Sequence, residues 1–143
     1  MEELEALRKM VEAHDYSAAL ALIDEMDEMA KDDKIVKIES FLKILLIHLI
    51  KKQAEKRTTK SWERSIRNAK DGVQSSNKRR NSKGFYLSED DLQEAINEIF
   101  GKSLRDAADE AFEGDFSAKE LAQMIHEEQI KKEALDLILN YKD

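Results

Sequence analysis

A chain of 143 residues with 24 Lys and Arg, 31 Asp and Glu, a net charge of −7, four glycines, no proline and no cysteine has a narrow set of options. Without cysteine there are no disulfides, thiolate zinc sites or cysteine nucleophiles. Without proline, and with so few glycines, a turn-rich all-β fold is disfavoured and helices are favoured.

The length suits one domain, which can bury roughly 68–70% of its unfolded surface. The charge is uneven. Residues 1–50 carry a net −6, residues 51–83 a net +9 and residues 84–143 a net −10. A basic middle between acidic flanks serves either internal complementarity or an acidic partner. The N-terminal MEELEALRKM is acidic and has no apolar core, so no signal peptide is expected and the location is read as cytoplasmic.

The first helix is expected over 2–13, with Leu4, Leu7, Met10 and Val11 as a narrow apolar stripe and three glutamates in its first turn. Asp15 is placed to cap a second helix that runs to about Ala30, burying Tyr16, Ala19, Leu20, Ile23, Met26 and Ala30. The pair is faintly like a tetratricopeptide hairpin, but no second copy follows at a period of about 34 residues, so a solenoid is rejected.

A third helix is expected from Asp33 to Glu55, and the rest of the chain is organised around it. Phe41, Leu42, Ile44, Leu45, Leu46, Ile47, Leu49 and Ile50 leave only Lys43 and His48 as polar interruptions. A helix apolar on all sides is a buried one. Its dense part, 41–50, falls short of the about 20 residues that span a membrane.

KRTTKS (56–61) connects to a fourth helix capped by Thr59 or Ser61, with Trp62, Ile66, Ala69 and Val73 on its inner face. Glu63, Arg67 and Asp71 are spaced to pair along its outer face, and Gly72 weakens its end. SSNKRRNSKG (75–84) has no apolar side chain and reads as an exposed, mobile basic loop. It divides an N-terminal four-helix unit (1–74) from a C-terminal helical unit (85–143) within one domain.

Beyond the loop, Ser88 precedes a helix with Glu89, Asp90 and Asp91 in its first turn, stapled by Leu87 and Leu92. Gly101 is read as its C-terminal cap, and Ser103 as the start of another helix that ends at Gly114. Ser117 and Glu120 form a capping box, stapled by Phe116 and Leu121. The last helical stretch reaches about Tyr141, and a shift in its apolar phase predicts a break near His126–Gln129.

Chemical motifs are sparse. The acidic run Asp24, Glu25, Asp27, Glu28 is in the first place a solvated face. A di-iron bundle needs Glu-x-x-His on two helices, and here Leu45 stands three residues before His48. His48 reads as a core histidine hydrogen-bonded to a neighbour, while His14 and His126 lie at helix ends. There is no Gly-x-Ser-x-Gly elbow and no glycine-rich phosphate loop, so nothing calls for enzymatic chemistry or a cofactor. Lys78, Arg79, Arg80 and Lys83, with Arg64, Arg67 and Lys70 nearby, have the chemistry to contact phosphates. Only Trp62, Phe85 and Tyr86 are near enough to stack on bases, and Trp62 sits in an apolar stripe.

Three stretches together resemble the domain of unknown function 29 family, helical proteins found mostly in cyanobacteria. Leu22-Ile23-Asp24-Glu25-Met26-Asp27-Glu28-Met29 is similar to the family's Leu-Ile-Glu-Glu-Ile-Glu-x-Met. Leu45, Leu46, His48, Leu49 and Lys51 match its Leu-Leu-x-His-Leu-Leu-Lys. Ser61-Trp62-x-x-Ser65-Ile66 is like its Ser-Trp-x-x-Thr-Ile, and the whole match covers about residues 16–74. The family's glycine after the first motif is Ala30 here. The resemblance implies an all-helical fold and brings no activity. It places Glu25, Glu28, His48, Lys51 and Trp62 at recurrent motif positions, which suggests a shared inter-helix polar network.

The expectation is therefore an all-α, irregular up-and-down bundle of six or seven helices around a buried central helix, about 33–55. The leading function is a non-enzymatic protein–protein interaction or self-association module, with no membrane partner. The alternative is a nucleic-acid-associated, antitoxin-like regulator using the basic 51–83 segment, and the third is a metal-binding protein or enzyme using Glu25, Glu28 and His48.

Overall fold

The computed structural model describes residues 2–79 and 84–141, and within them the chain is all-α. The six helices are α1 (Glu2–Glu12), α2 (Tyr16–Glu55), α3 (Lys60–Asn77), α4 (Glu89–Glu110), α5 (Ala118–Ala122) and α6 (Glu127–Leu139). A short 3-10 turn, Ala111–Gly114, follows α4. No helix among the described residues is long and apolar enough to cross a membrane. The chain forms two compact units, Met1–Lys34 and Ile35–Asp143, and the boundary between them falls inside α2.

In the first unit, α1 ends in a Schellman motif. His14 takes the left-handed conformation at φ 62°, the Asp15 N–H donates to the Met10 carbonyl at 2.9 Å, and the His14 N–H donates to Val11 at 3.0 Å. None of the α1 residues is buried, and Ala19 is the unit's one buried apolar residue among those described.

The second unit holds the core. Ile38, Leu42, Leu45, Leu46 and Ile50 of α2 are fully enclosed, packed with Ile66, Ala69 and Val73 of α3. Leu92, Ile96, Phe100 and Ala107 of α4, Leu121 of α5, and Ile130, Ala134 and Ile138 of α6 complete the cluster. The central helix is not apolar-buried on every side, since Ile44 stays 41% exposed.

Three expected helix boundaries are corrected. The second and third helices are one 40-residue α2, because Lys31, Asp32, Asp33 and Lys34 carry charge without a glycine or proline to stop the chain. The fourth helix runs on past Gly72 and continues as α3 to Asn77, into the stretch read as an exposed loop. The helices separated at Gly101 and Ser103 are a single α4, in which Ser103 is buried and its hydroxyl donates to the Ile99 carbonyl at 2.9 Å.

Apart from Ser103, the local start signals hold, single caps and capping boxes alike: the Ala18 N–H donates to Asp15 Oδ1 at 3.3 Å at the start of α2. Thr59 caps α3, accepting from the Trp62 N–H at 3.0 Å. Ser88 and Asp91 form a capping box on α4, and Ser117 and Glu120 form one on α5. The break between α5 and α6 ends at His126, the N-cap of α6.

Candidate functional site

The five residues of the suggested network lie in different places. Glu25 and Glu28 are exposed on α2 within the first unit. In the second unit His48 is half-buried, and its Nδ1–H donates to the Ile44 carbonyl of its own helix at 3.0 Å. Lys51 and Trp62 do meet: the ammonium stands 4.6 Å from the centre of the Trp62 ring.

Around that contact lies an open cleft of about 470 Å³. Lys51 is 7% exposed and its Nζ donates to Glu110 Oε1 at 3.0 Å. The Arg57 guanidinium also stands 4.6 Å from the Trp62 ring, while Arg57 Nε donates to Glu55 Oε1 at 3.0 Å. Glu55 turns its other oxygen to the Phe112 N–H at 3.2 Å. Phe112 and Glu113 both sit in the left-handed region, at φ 51° and 58°. Such residues cost of order 1–3 kcal/mol each and need surrounding contacts to hold them. Glu55 supplies one, and the edge-to-face packing of Phe112 on Phe116 at 5.1 Å supplies another.

The last turn of α2 thereby organises the connections of the C-terminal half. Glu55 holds the turn after α4, and Gln53 Oε1 accepts the N–H of His126 at the start of α6. No sequence signal marks this role, because both side chains belong to a charged stretch that reads as a solvated helix end. In the cleft Lys51 is paired with Glu110 and Arg57 with Glu55, while Glu113 and Asp115 also line it, and no hydroxyl or thiol lines it. Its chemistry is that of a tie between helices. Among the described residues no group of three or more His, Asp or Glu side chains is placed to hold a metal ion.

The outer face of α3 differs from expectation. Glu63 does not pair with Arg67. Its carboxylate is taken up by Lys52 at 3.1 Å and by the Thr58 hydroxyl, which holds it below the usual carboxylate range through the Thr58 hydrogen bond first. Lys60, Arg64 and Arg67 are exposed, and among the described residues none of them has an ion-pair partner.

The basic loop is also built differently. Ser76 and Asn77 are buried residues at the end of α3, not part of an exposed segment. Asn77 clamps the returning chain: its Nδ2 donates to the Leu87 carbonyl at 3.0 Å and its Oδ1 accepts the Leu87 N–H at 2.7 Å. Lys78 and Phe85 form an antiparallel bridge, the Arg79 N–H donates to Gly84 at 3.2 Å, and the Tyr86 N–H donates to Asn77 at 2.9 Å. The Arg79 guanidinium lies over the Tyr86 ring at 4.6 Å. Of the candidate phosphate-binding residues, Lys78 and Arg79 stand on this stem, while Arg80 and Lys83 lie outside the described residues.

The first unit shows another kind of surface. Leu4, Val11, Tyr16, Leu20, Ile23 and Met29 are all exposed, with Leu20 at 61% and Tyr16 at 57%. The apolar stripes expected to be buried are in large part at the surface. Residues 1–34 carry 4 basic and 11 acidic side chains, a net −7, so residues 35–143, with 20 of each sign, are neutral.

Compared with known proteins, the chain is matched by the model of one family, described as Domain of unknown function DUF29, over residues 2–135. That match extends on both sides of the 16–74 stretch in which the motifs lie. No curated protein and no solved structure matches the chain.

Proposed function

The chain belongs to the DUF29 family, and we propose that it is a non-enzymatic docking module whose first unit receives a basic amphipathic helix of a partner protein. One observation carries the reading: six large apolar side chains are exposed in the Met1–Lys34 unit, which also holds the chain's whole net charge of −7. Tyr16, Leu20 and Ile23 recur at i, i+4 and i+7 on one face of α2, and an apolar stripe rimmed by charge marks an interaction site. A partner helix lays its own apolar face on such a surface through anchors spaced three and four residues apart. The acidic rim favours a partner of opposite sign, raises its encounter rate and disfavours like-charged copies of the same unit.

The test uses a labelled synthetic helix of leucine and lysine with one apolar face. Fluorescence anisotropy should show binding to the intact protein that weakens with salt. The variant Leu4→Gln/Leu20→Gln/Ile23→Gln keeps the net charge and good helix formers. Equal binding by that variant would leave only an acidic surface and defeat the reading. Sedimentation velocity on the unmodified protein checks the rival occupant, since a dimer abolished by the same substitutions would make the partner a second copy.

A further inference from the structure

Among the described residues, a run of positive charge without ion-pair partners lies on α3, on the side away from the core. Lys60, Arg64 and Arg67 recur at i, i+4 and i+7, opposite the buried Ile66, Ala69 and Val73. Asp71 is the one carboxylate on that stripe, because Glu63 is engaged by Lys52 and Thr58. Across residues 56–79 there are 8 basic and 2 acidic side chains. The stripe leads to Lys78 and Arg79 at the stem of the closed loop. From Lys60 to Lys78 the helix rises about 27 Å.

At that end two aromatic rings are left in solvent. Phe85 is 48% exposed and Tyr141 is 52% exposed, with ring centres 5.8 Å apart and planes 31° apart. Both are held in place. Phe85 is bridged to Lys78, and the chain before Tyr141 is tied to α3 by Gln74, whose Nε2 donates to the Ile138 and Asn140 carbonyls at 2.9 and 3.0 Å. The two half-exposed rings at the end of the cationic track lie outside the hydrophobic core and pack on each other.

We propose that the outer face of α3 and the Phe85–Tyr141 pair bind single-stranded nucleic acid, with phosphates along Lys60, Arg64 and Arg67 and an unpaired base on the rings. This surface is independent of the first unit and of the docking reading. A cationic groove with stacking rings is the arrangement that holds single strands without reading sequence. Duplex is disfavoured, because its bases offer no free face to a ring at the protein surface.

The experiment is fluorescence anisotropy with labelled oligo-dT, oligo-U and a mixed-sequence duplex, each about 16 nucleotides long, between about 50 and 200 mM salt. Binding of either single strand, with affinity falling as salt rises, is the expected result. Lys60→Gln/Arg64→Gln/Arg67→Gln should lower the slope of log affinity against log salt by about 2, at roughly 0.7 per phosphate contact. Phe85→Ala and Tyr141→Ala should each weaken binding about tenfold and leave the slope alone, while Tyr141→Phe retains affinity. Circular dichroism keeps loss of fold apart from loss of binding. Absence of binding at the lowest salt overturns the proposal. So does duplex bound as tightly as single strand, or ring variants without effect. A triple variant that changes self-association instead of strand binding also overturns it and makes the stripe a protein contact.

Discussion

The ring of Phe41 occupies the space in which a side chain on Gly72 would begin. A Cβ built there would lie 2.5 Å from Phe41 Cδ1. Gly72→Ala therefore sets two effects against each other. Alanine gains about 1 kcal/mol of helix propensity over glycine, and forcing a methyl into a filled site costs about 1–3 kcal/mol. Three ring atoms within 2.6 Å make the second effect larger. Urea unfolding should show Gly72→Ala destabilised by about 1 kcal/mol. In a Phe41→Leu background the same change should be neutral or stabilising. A single variant more stable than the parent would contradict this reading of the contact.

Asn77 is 1% exposed and satisfies both backbone groups of Leu87. Asn77→Ala leaves that N–H and C=O without partners, at a cost of about 2–3 kcal/mol. The local signature is faster amide exchange at Leu87 and Tyr86, while amides in the middle of α4 change only with global stability. Unchanged exchange at Leu87 would mean that the clamp is unimportant.

Lys51 and Trp62 should couple, whereas Glu25 should not take part. A double-mutant cycle of Lys51→Met and Trp62→Leu is expected to give an interaction of about 1 kcal/mol, the size of a cation–π contact at the edge of an open cleft. Glu25→Ala, on an exposed position, should stay within about 0.5 kcal/mol of the parent. A Glu25 effect as large as that of Lys51 would bring the acidic motif into the network.

The capping box of α5 predicts a pH response. The Ser117 N–H donates to the Glu120 carboxylate at 3.0 Å, and this bond, with that to the Ser117 side chain, holds the Glu120 carboxyl below its ordinary 4.5. Its folded-state pKa lies below the unfolded one, so its contribution is present above pH 4.5 and is lost as pH falls below that value. Asp106, lowered by the Lys43 ammonium first, and Glu63 act in the same direction. The urea midpoint should fall on acidification through this range. Glu120→Gln should flatten that fall, and a variant with the parent's full acid dependence would refute the assignment.

Helix starts were legible wherever a cap and a staple stood together, as at Ser88 with Leu87 and Leu92, because both signals act within one turn. The end read at Gly114 holds, since the helical turn after α4 stops there at φ 81°, but the one read at Gly101 fails. Gly101 has open space around it and only weakens propensity, and helix α4 runs through it under the packing of Ile96, Phe100 and Ala107. The charged stretch at 31–34 holds no stop signal, and α2 passes through it. Of the five residues that the family resemblance grouped, Lys51 and Trp62 are in contact. The Asn77 clamp was not legible, because a polar residue in a polar run gives no sign that a backbone further along the chain will close over it. The outward stripe on α3 was legible only in part: Arg64 and Arg67 read as able to contact phosphates, but Arg67 also read as paired with Glu63, which is held by Lys52 instead.

The partition of charge has a colloidal consequence. With 20 groups of each sign, residues 35–143 by themselves stand at their isoelectric point near neutral pH. Like-charge repulsion, which keeps protein molecules apart in concentrated solution, is supplied to this chain by the Met1–Lys34 unit alone. A protease cut after Lys34, or a cationic ligand that neutralised the segment before it, would convert a well-dispersed protein into one poised to precipitate, with no change in the core.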